Sequence, residues 1–357
     1  MKKLLALLMV SMMTTTMLAG CGNEQATATA EANAAPEAAS ASEASVEEAA
    51  NAQTDGNGSI TLVLSQRDEW LSTLDAAAKK AAEAKSIEMV SQDALSDTSK
   101  QIQFVAAAAA AGEKAVIVNL VDPNIAPDII EAAGDMKVVF VNRPPQDMSV
   151  LNENVVYVGS NEMTSGKFQG EWLAEYFKSQ GKTEIKYILL NGILGQVSTT
   201  NRTASVLKAL EDGGIKATEA SAPLACDYDR AEAMTQITPL LTSGMEFDCI
   251  ISNNDAMALG AIEALENVGM DPSSIPIVGI DATPDGRQAV KDGKMAMTVF
   301  QNAVGQGDGA MVAALNLTEG RPFNEGTSYD VDSENPNVMW IPFEPVTKEN
   351  VAEYDGR

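Results

Sequence analysis

Amides, carboxylates and guanidinium groups recur in this chain at one kind of place, just after a short apolar run and just before a stretch of helical periodicity. They are Gln66, Arg67, Asp68 and Glu69, followed by Trp70; Asn119 and Asp122; Asn142 and Arg143, followed by Pro144-Pro145; Gln196, Ser198 and Arg202; Cys226 to Tyr228; Asn253, Asn254 and Asp255; and Asp281 and Gln301. Such a set suits a polyhydroxylated ligand. A hydroxyl group both donates and accepts, so carboxylates and amide oxygens take its hydrogen while guanidinium and amide NH2 groups donate to its oxygen. Trp70 and Tyr228 add aromatic faces for the apolar C–H side of a sugar ring. Any one of these residues serves equally well as a helix cap or a surface ion pair. Their shared position points to a shared site.

Reactive chemistry finds little support. The chain has no histidine, which removes the commonest general base, the Ser-His-Asp and Cys-His devices and the usual zinc ligand. There is no GxSxG elbow and no GxxxxGK[ST] phosphate loop. Gly192-Ile193-Leu194-Gly195 and Gly305-Gln306-Gly307 do not complete a GxGxxG fingerprint. Asp68, Asp255 and Asp281 are candidates for a glycosidase pair, but nothing in the sequence separates an acid from a nucleophile. The three cysteines, Cys21, Cys226 and Cys249, form no CxxC pair. Cys226 and Cys249 are expected to be reduced and buried. A net charge of −26 argues against nucleic acid or an anionic membrane surface as partner. No cofactor or metal is expected.

The elements that carry these residues alternate. Apolar runs predict strands at Ile60–Leu64, Ile87–Val90, Ala115–Leu120, Val138–Val141, Val155–Val158, Ile185–Leu190, Lys216–Ala220, Cys249–Ile251, Ile277–Ile280, Met297–Phe300 and Asn337–Pro342. Helical periodicity falls between them, as in Trp70–Ala84, Met163–Phe177, Thr199–Leu210, Ala256–Leu265 and Ala303–Leu317. This rhythm means parallel sheets with helices on both faces. One sheet of so many strands would be unusually wide. The fold class is therefore α/β, as two doubly wound parallel-sheet lobes divided near Ser160. Ligands of such sheets sit outside the carboxyl ends of the strands, where the polar residues lie.

The start of the chain is of another kind. Lys2 and Lys3 precede the apolar run Leu4–Val10, which reads as an export signal over 1–20. Leu18-Ala19-Gly20-Cys21 resembles the lipobox of bacterial lipoproteins, which implies cleavage before Cys21 and a lipid on its sulfur. From 21 to 58 the composition is Ala, Glu, Asn, Ser and Thr, without aromatic, Ile or Leu residues, and reads as a disordered acidic tether.

Two runs carry a wider resemblance: Ser252-Asn253-Asn254-Asp255-Ala256-Met257-Ala258 and Val278-Gly279-Ile280-Asp281-Ala282-Thr283-Pro284. With Asn119-Leu120-Val121-Asp122-Pro123, Val139-Phe140-Val141-Asn142 and Tyr157-Val158-Gly159-Ser160, they are similar to type I periplasmic sugar-binding proteins, from Ile60 to Ile341. The galactose/glucose-binding members are the most alike, with features of the ribose binders. The resemblance implies that Asp68, Asn142, Asn254 and Asp281 bind hydroxyl groups, that Arg143 is the basic residue beside Asn142, and that Arg202 contacts the ring-oxygen side. Trp70 matches a stacking aromatic, and Tyr228 stands where the galactose binder has a tryptophan. Gln301 matches a glutamine of the ribose binder. Gln196 and Ser198 replace a histidine and an aspartate. The calcium loop of the galactose binder is reduced to Ser179-Gln180-Gly181-Lys182, so no calcium is expected.

The resemblance implies that the two lobes are joined by a three-segment hinge, with 59–160 and 302–337 in one lobe, 161–301 and 338–357 in the other, and crossings near Ser160, Gln301 and Val338. It thus implies a non-catalytic, extracytoplasmic lipoprotein. It would bind a monosaccharide (galactose, glucose or a related hexose or pentose), close about its hinge and deliver the sugar to the permease of an ABC importer. It would act as a monomer and meet the membrane only through its lipid. The alternatives are a sugar or autoinducer receptor for a signalling or chemotaxis partner, and a secreted sugar-modifying enzyme.

Overall fold

The computed structural model describes residues 58–357. The export signal, Cys21 and the tether up to residue 57 lie outside the described residues. The chain runs β1 (Ser59–Leu64), α1 (Glu69–Ala84), β2 (Glu88–Asp93), α2 (Thr98–Ala110), β3 (Ala115–Val118), α3 (Ala126–Ala133), β4 (Lys137–Val141) and β5 (Val155–Gly159). It continues with α4 (Glu162–Ser179), β6 (Glu184–Asn191), α5 (Val197–Asp212), β7 (Lys216–Glu219), β8 (Leu224–Ala225), α6 (Arg230–Thr242), β9 (Cys249–Ser252) and α7 (Asp255–Asn267). The last elements are β10 (Ile277–Val278), α8 (Pro284–Lys291), β11 (Met297–Gln301), α9 (Ala303–Thr318), β12 (Asp330–Val331), β13 (Val338–Trp340) and β14 (Phe343–Thr347).

The strands form two seven-stranded sheets. The first has the order β12-β13-β5-β4-β3-β1-β2 and the second β14-β11-β10-β9-β6-β7, with β8 also paired to β6. Each is parallel except for one antiparallel edge strand, β12 in the first and β14 in the second. The two lobes are thus α/β and doubly wound. Buried parallel strands present opposite faces to two layers, and that is visible residue by residue. In β1, Ile60, Leu62 and Leu64 pack with α1 and α9, while Val63 packs with α2 and α3. In β9, Ile250 faces α6 and α7, while Cys249 and Ile251 face α4 and α5.

The chain passes between the sheets three times: from β5 into α4, from β11 into α9, and from β13 into β14. The third passage was expected near Val338 and lies further on. Val338, Met339 and Trp340 pair in register with Tyr157, Val158 and Gly159 of the first sheet. The Ile341 N–H still donates to the Gly159 carbonyl at 2.7 Å. Pro342 has no N–H to continue that ladder, and Phe343 starts the pairing with β11 in the second sheet.

Candidate functional site

A cavity of about 390 Å³ opens at the carboxyl ends of both sets of strands. That is at the small end of ligand cavities, which run from about 300 to 1,000 Å³. Asp68, Trp70, Asn142, Arg143, Gln196, Ser198, Arg202, Tyr228, Asn254, Asp281 and Gln301 all line it. Residues scattered over more than 230 positions of sequence are thus brought to one place, because each follows a strand whose end faces the cavity.

From the first lobe, Asp68 caps α1, its Oδ1 accepting from the Leu71 N–H at 2.7 Å. Its other oxygen accepts from Gln66 Nε2 at 3.3 Å. Two residues on, Trp70 donates its indole N–H to the Gln301 carbonyl at 3.1 Å, tying α1 to the end of β11. Asn142 has a left-handed backbone (φ 65°). Its carbonyl accepts from the Tyr157 hydroxyl at 2.8 Å, and its side-chain oxygen accepts from Asn119 at 3.2 Å. Arg143 donates to the Leu120 carbonyl at 3.2 Å, and burial draws its pKa down.

The second lobe supplies the deeper wall. Arg202 on α5 donates to both oxygens of Glu162 on α4, at 2.6 and 3.1 Å, to the Asn253 carbonyl at 2.7 Å and to Gln301 Oε1 at 3.2 Å. Two glycines allow the helices to approach this closely. A methyl group at Gly166 would overlap the Arg202 carbonyl, and one at Gly170 the Val206 carbonyl. Glu162, Gly166 and Gly170 are spaced by four and share one face of α4. The Tyr228 hydroxyl is held by Ser198 at 2.7 Å and Thr199 at 2.8 Å. Its ring lies against Gly192, where a methyl would overlap it.

Three buried side chains of the cavity wall keep unused hydrogen-bonding capacity. Gln196, 6% exposed, has no partner for Oε1, and Gln301, 4% exposed, has none for Nε2. Asp281, 9% exposed, receives no hydrogen bond on its carboxylate. Its backbone is left-handed (φ 118°) and is fastened by the Val299 carbonyl, which accepts from its N–H at 2.7 Å. Burial pushes the Asp281 carboxyl well above the usual carboxylate range; Arg202 opposes this, while Asp255, Asp68 and Glu162 add to it.

Of the three polar residues after β9, only Asn254 reaches the cavity. It also caps α7, accepting from the Met257 N–H at 2.9 Å. Asn253 turns away and binds Gly192 and Thr203. Asp255 points beneath the Asp281 loop, where it accepts from the Thr298 hydroxyl at 2.6 Å and the Thr283 N–H at 2.9 Å. Its pKa is raised to about 7, mainly by burial, against these two hydrogen bonds and the charge of Arg287. Glu162 was not among the expected site residues. A carboxylate in the first turn of a helix reads as a dipole-stabilising surface group; the glycines four and eight positions later are the signal that its face is buried. Cys226 and Cys249 are buried free thiols. Burial pushes Cys226 up to about 12 and Cys249 higher still.

A family model described as a periplasmic binding protein domain matches residues 60–322. The chain is 32% identical over 321 residues to a protein of Rhizobium meliloti named for rhizopine binding, covering 87% of this chain and 96% of that one. It is 33% identical to the D-galactose/methyl-galactoside binding periplasmic protein of Haemophilus influenzae, over 68% of this chain and 75% of that one. Among solved structures, an ABC transporter solute binding protein from Bacillus halodurans with bound myo-inositol is similar at a TM-score of 0.71 and 32% identity, covering 85% of this chain and 98% of that one. With its two doubly wound lobes and the cavity at their strand tips, the chain belongs to the periplasmic binding protein family, as a type I periplasmic sugar-binding protein.

Proposed function

We propose that this protein is a lipid-anchored, extracytoplasmic receptor that captures one sugar-sized polyol and presents it to an ABC importer without altering it. The observation that carries this reading is the convergence of Asp68, Asn142, Arg202, Asn254 and Asp281 on one cavity together with Trp70 and Tyr228. Three buried polar side chains there lack protein partners for some of their hydrogen bonds, and hydroxyl groups would supply them. The relatives named for galactoside and rhizopine binding, and the neighbour holding myo-inositol, support monosaccharides and cyclitols as the class to test.

Binding would close the two lobes about the three chain passages. Hinge closure of periplasmic binding proteins is a standard instance of domain closure around a ligand, and the ligand contributes only its differential affinity for the closed form. Anchoring would rest on Cys21.

A thermal-shift screen of the mature protein across D-galactose, D-glucose, D-ribose, D-allose and myo-inositol tests the class, since a ligand that prefers the native state raises its melting point. Calorimetry on the hits should give micromolar binding, about −8 kcal/mol, with the sugar recovered unchanged. No shift with any polyol would refute the reading. Replacing Cys21 with Ser should release the protein from cell membranes; retention there would refute the anchor.

A further inference from the structure

Asp281 lines the cavity, and among the described residues no donor reaches its carboxylate. The direction of that side chain is therefore set by its backbone. The backbone there is unusual, because Asp281 (φ 118°) and Ala282 (φ 50°) both lie at positive φ. Residues with a Cβ avoid that region and hold it only where the surroundings impose it.

One side chain fastens the loop on both sides of Asp281. Asp255 is fully buried beneath it. Its N–H donates to the Ile280 carbonyl at 2.7 Å. Its Oδ2 accepts from the Thr283 N–H at 2.9 Å. Its Oδ1 accepts from the Thr298 hydroxyl at 2.6 Å, and that hydroxyl oxygen accepts in turn from the Ala282 N–H at 3.2 Å. Asp281 itself is tied only through its backbone, to the Val299 carbonyl and the Gln301 N–H of β11. Two glycines make room for the carboxylate underneath. A methyl group at Gly279 would overlap Asp255 Oδ1, and one at Gly286 would overlap Oδ2. Neither Asp255 nor Thr298 lines the cavity, so neither touches a ligand bound there.

We infer that Asp255, acting partly through Thr298, is the positioning residue for Asp281: it holds the 280–283 loop in the conformation that aims the Asp281 carboxylate at a bound hydroxyl group. The inference rests on the sugar-binding reading above and deepens it, by naming what preorganises its principal acceptor. A ligand that meets an acceptor already in place need not order it, and binds more tightly for that reason.

Isothermal titration of the mature protein with D-galactose, D-glucose, D-ribose, D-allose and myo-inositol selects the tightest of the five for the comparison. It is run at pH 8, above the Asp255 pKa of about 7. Asp255→Asn keeps the volume, but an amide offers one acceptor oxygen to two donors. Affinity is expected to fall about fivefold or more, as for the loss of one hydrogen bond, with a urea midpoint no lower than wild type. A carboxylate with only a structural role would lower stability and affinity together. Added to Asp281→Asn, the same change is expected to alter affinity by less than about twofold, since the group it positions is gone. Thr298→Val removes the relaying hydroxyl and should weaken binding about threefold or more, whereas Thr298→Ser keeps it and should stay within about twofold of wild type. Unchanged affinity in Asp255→Asn would overturn the inference and leave the sugar reading intact, as would a loss of equal size in the Asp281→Asn background. Equal affinities in the two Thr298 variants would overturn it without any change at Asp255. No binding of any of the five by wild type would overturn the sugar reading and the inference with it.

Discussion

Arg202 and Glu162 hold each other in a bidentate ion pair at 2.6 and 3.1 Å, with both side chains only 5% exposed. The pair spans α4 and α5 at the floor of the cavity, so it fixes the remaining Arg202 donors on the Asn253 carbonyl and on Gln301. Removing one partner of a buried pair leaves an uncompensated charge, at about 3–5 kcal/mol. Glu162→Gln should therefore lower the urea unfolding free energy by that order and weaken ligand binding, because Arg202 is then free to swing toward Asp281. Adding Arg202→Met to Glu162→Gln should recover part of the stability and none of the binding. Equilibrium denaturation and calorimetry on the single and double variants check both halves. A Glu162→Gln protein as stable as wild type would contradict the reading of this pair.

Asp281 should behave in the opposite way. Its carboxylate receives no hydrogen bond from the protein and is pushed well above the usual carboxylate range, chiefly by burial. Binding is expected to use it and unliganded folding to suffer from it, a common trade at functional sites. Asp281→Asn should raise the melting temperature of the ligand-free protein, and Asp281→Ala should cost binding about 2 kcal/mol or more, as when a charged acceptor is lost. A thermal scan without ligand and a titration with the best polyol measure the two effects. A lower melting temperature in Asp281→Asn would show that the carboxylate has a structural partner after all.

How much of this could be read without coordinates depends on how local each signal is. The strand and helix alternation was legible because strands covered on both faces are continuous apolar runs, such as Val138–Val141. Most wall residues were legible because they directly follow such runs. The third passage was not. Val338–Trp340 and Phe343–Thr347 are both extended, and only their partners β5 and β11, far away in sequence, decide which sheet takes which. Nor could the run Asn253-Asn254-Asp255 say which of its members faces the cavity. Successive residues at a helix start point about 100° apart, and the rotation of α7 is set by Ala258, Ile262 and Leu265 packing into the core beside β9. Glu162 escaped because burial of a helix face shows in its glycines, not in the acid itself.

Stability should depend on pH through Asp255. Its folded pKa of about 7 lies above the unfolded value near 3.8, and the charges facing it are Arg287, which lowers it, and Glu69, which raises it. The neighbouring Asp281 carboxyl is raised as well. A raised carboxyl contributes stability that is fully present below the unfolded pKa and is lost as pH climbs through the folded one. The window is therefore roughly pH 4 to 7, and the full contribution is on the order of 4 kcal/mol. Asp255→Asn keeps the shape between Gly279 and Gly286, where a methyl would overlap the carboxylate, and removes the titration. Unfolding free energies of the two proteins at intervals from pH 4 to 8 should converge at the acid end and separate toward pH 8, with the variant the more stable. Parallel curves would remove Asp255 as the source.

The contact between Gly192 and Tyr228 tests the aromatic wall. Gly192 follows β6, and its Cα lies so near the Tyr228 ring that a methyl would overlap Cζ and both Cε atoms. The ring cannot retreat, because its hydroxyl is tied to Ser198 and Thr199 on α5 and its backbone is in the left-handed region (φ 65°). In Gly192→Ala the ring must move toward the cavity that it lines. Overpacking of this kind costs about 1–3 kcal/mol, and the displaced ring takes volume needed by the ligand. Affinity is expected to fall at least tenfold, with the unfolding midpoint only modestly lower. The double variant Gly192→Ala/Tyr228→Ala separates steric blockage from general damage. If the methyl acts only through the ring, adding Gly192→Ala to Tyr228→Ala changes affinity no further, and calorimetry that shows an additional loss would place the effect elsewhere in the β6–α5 loop.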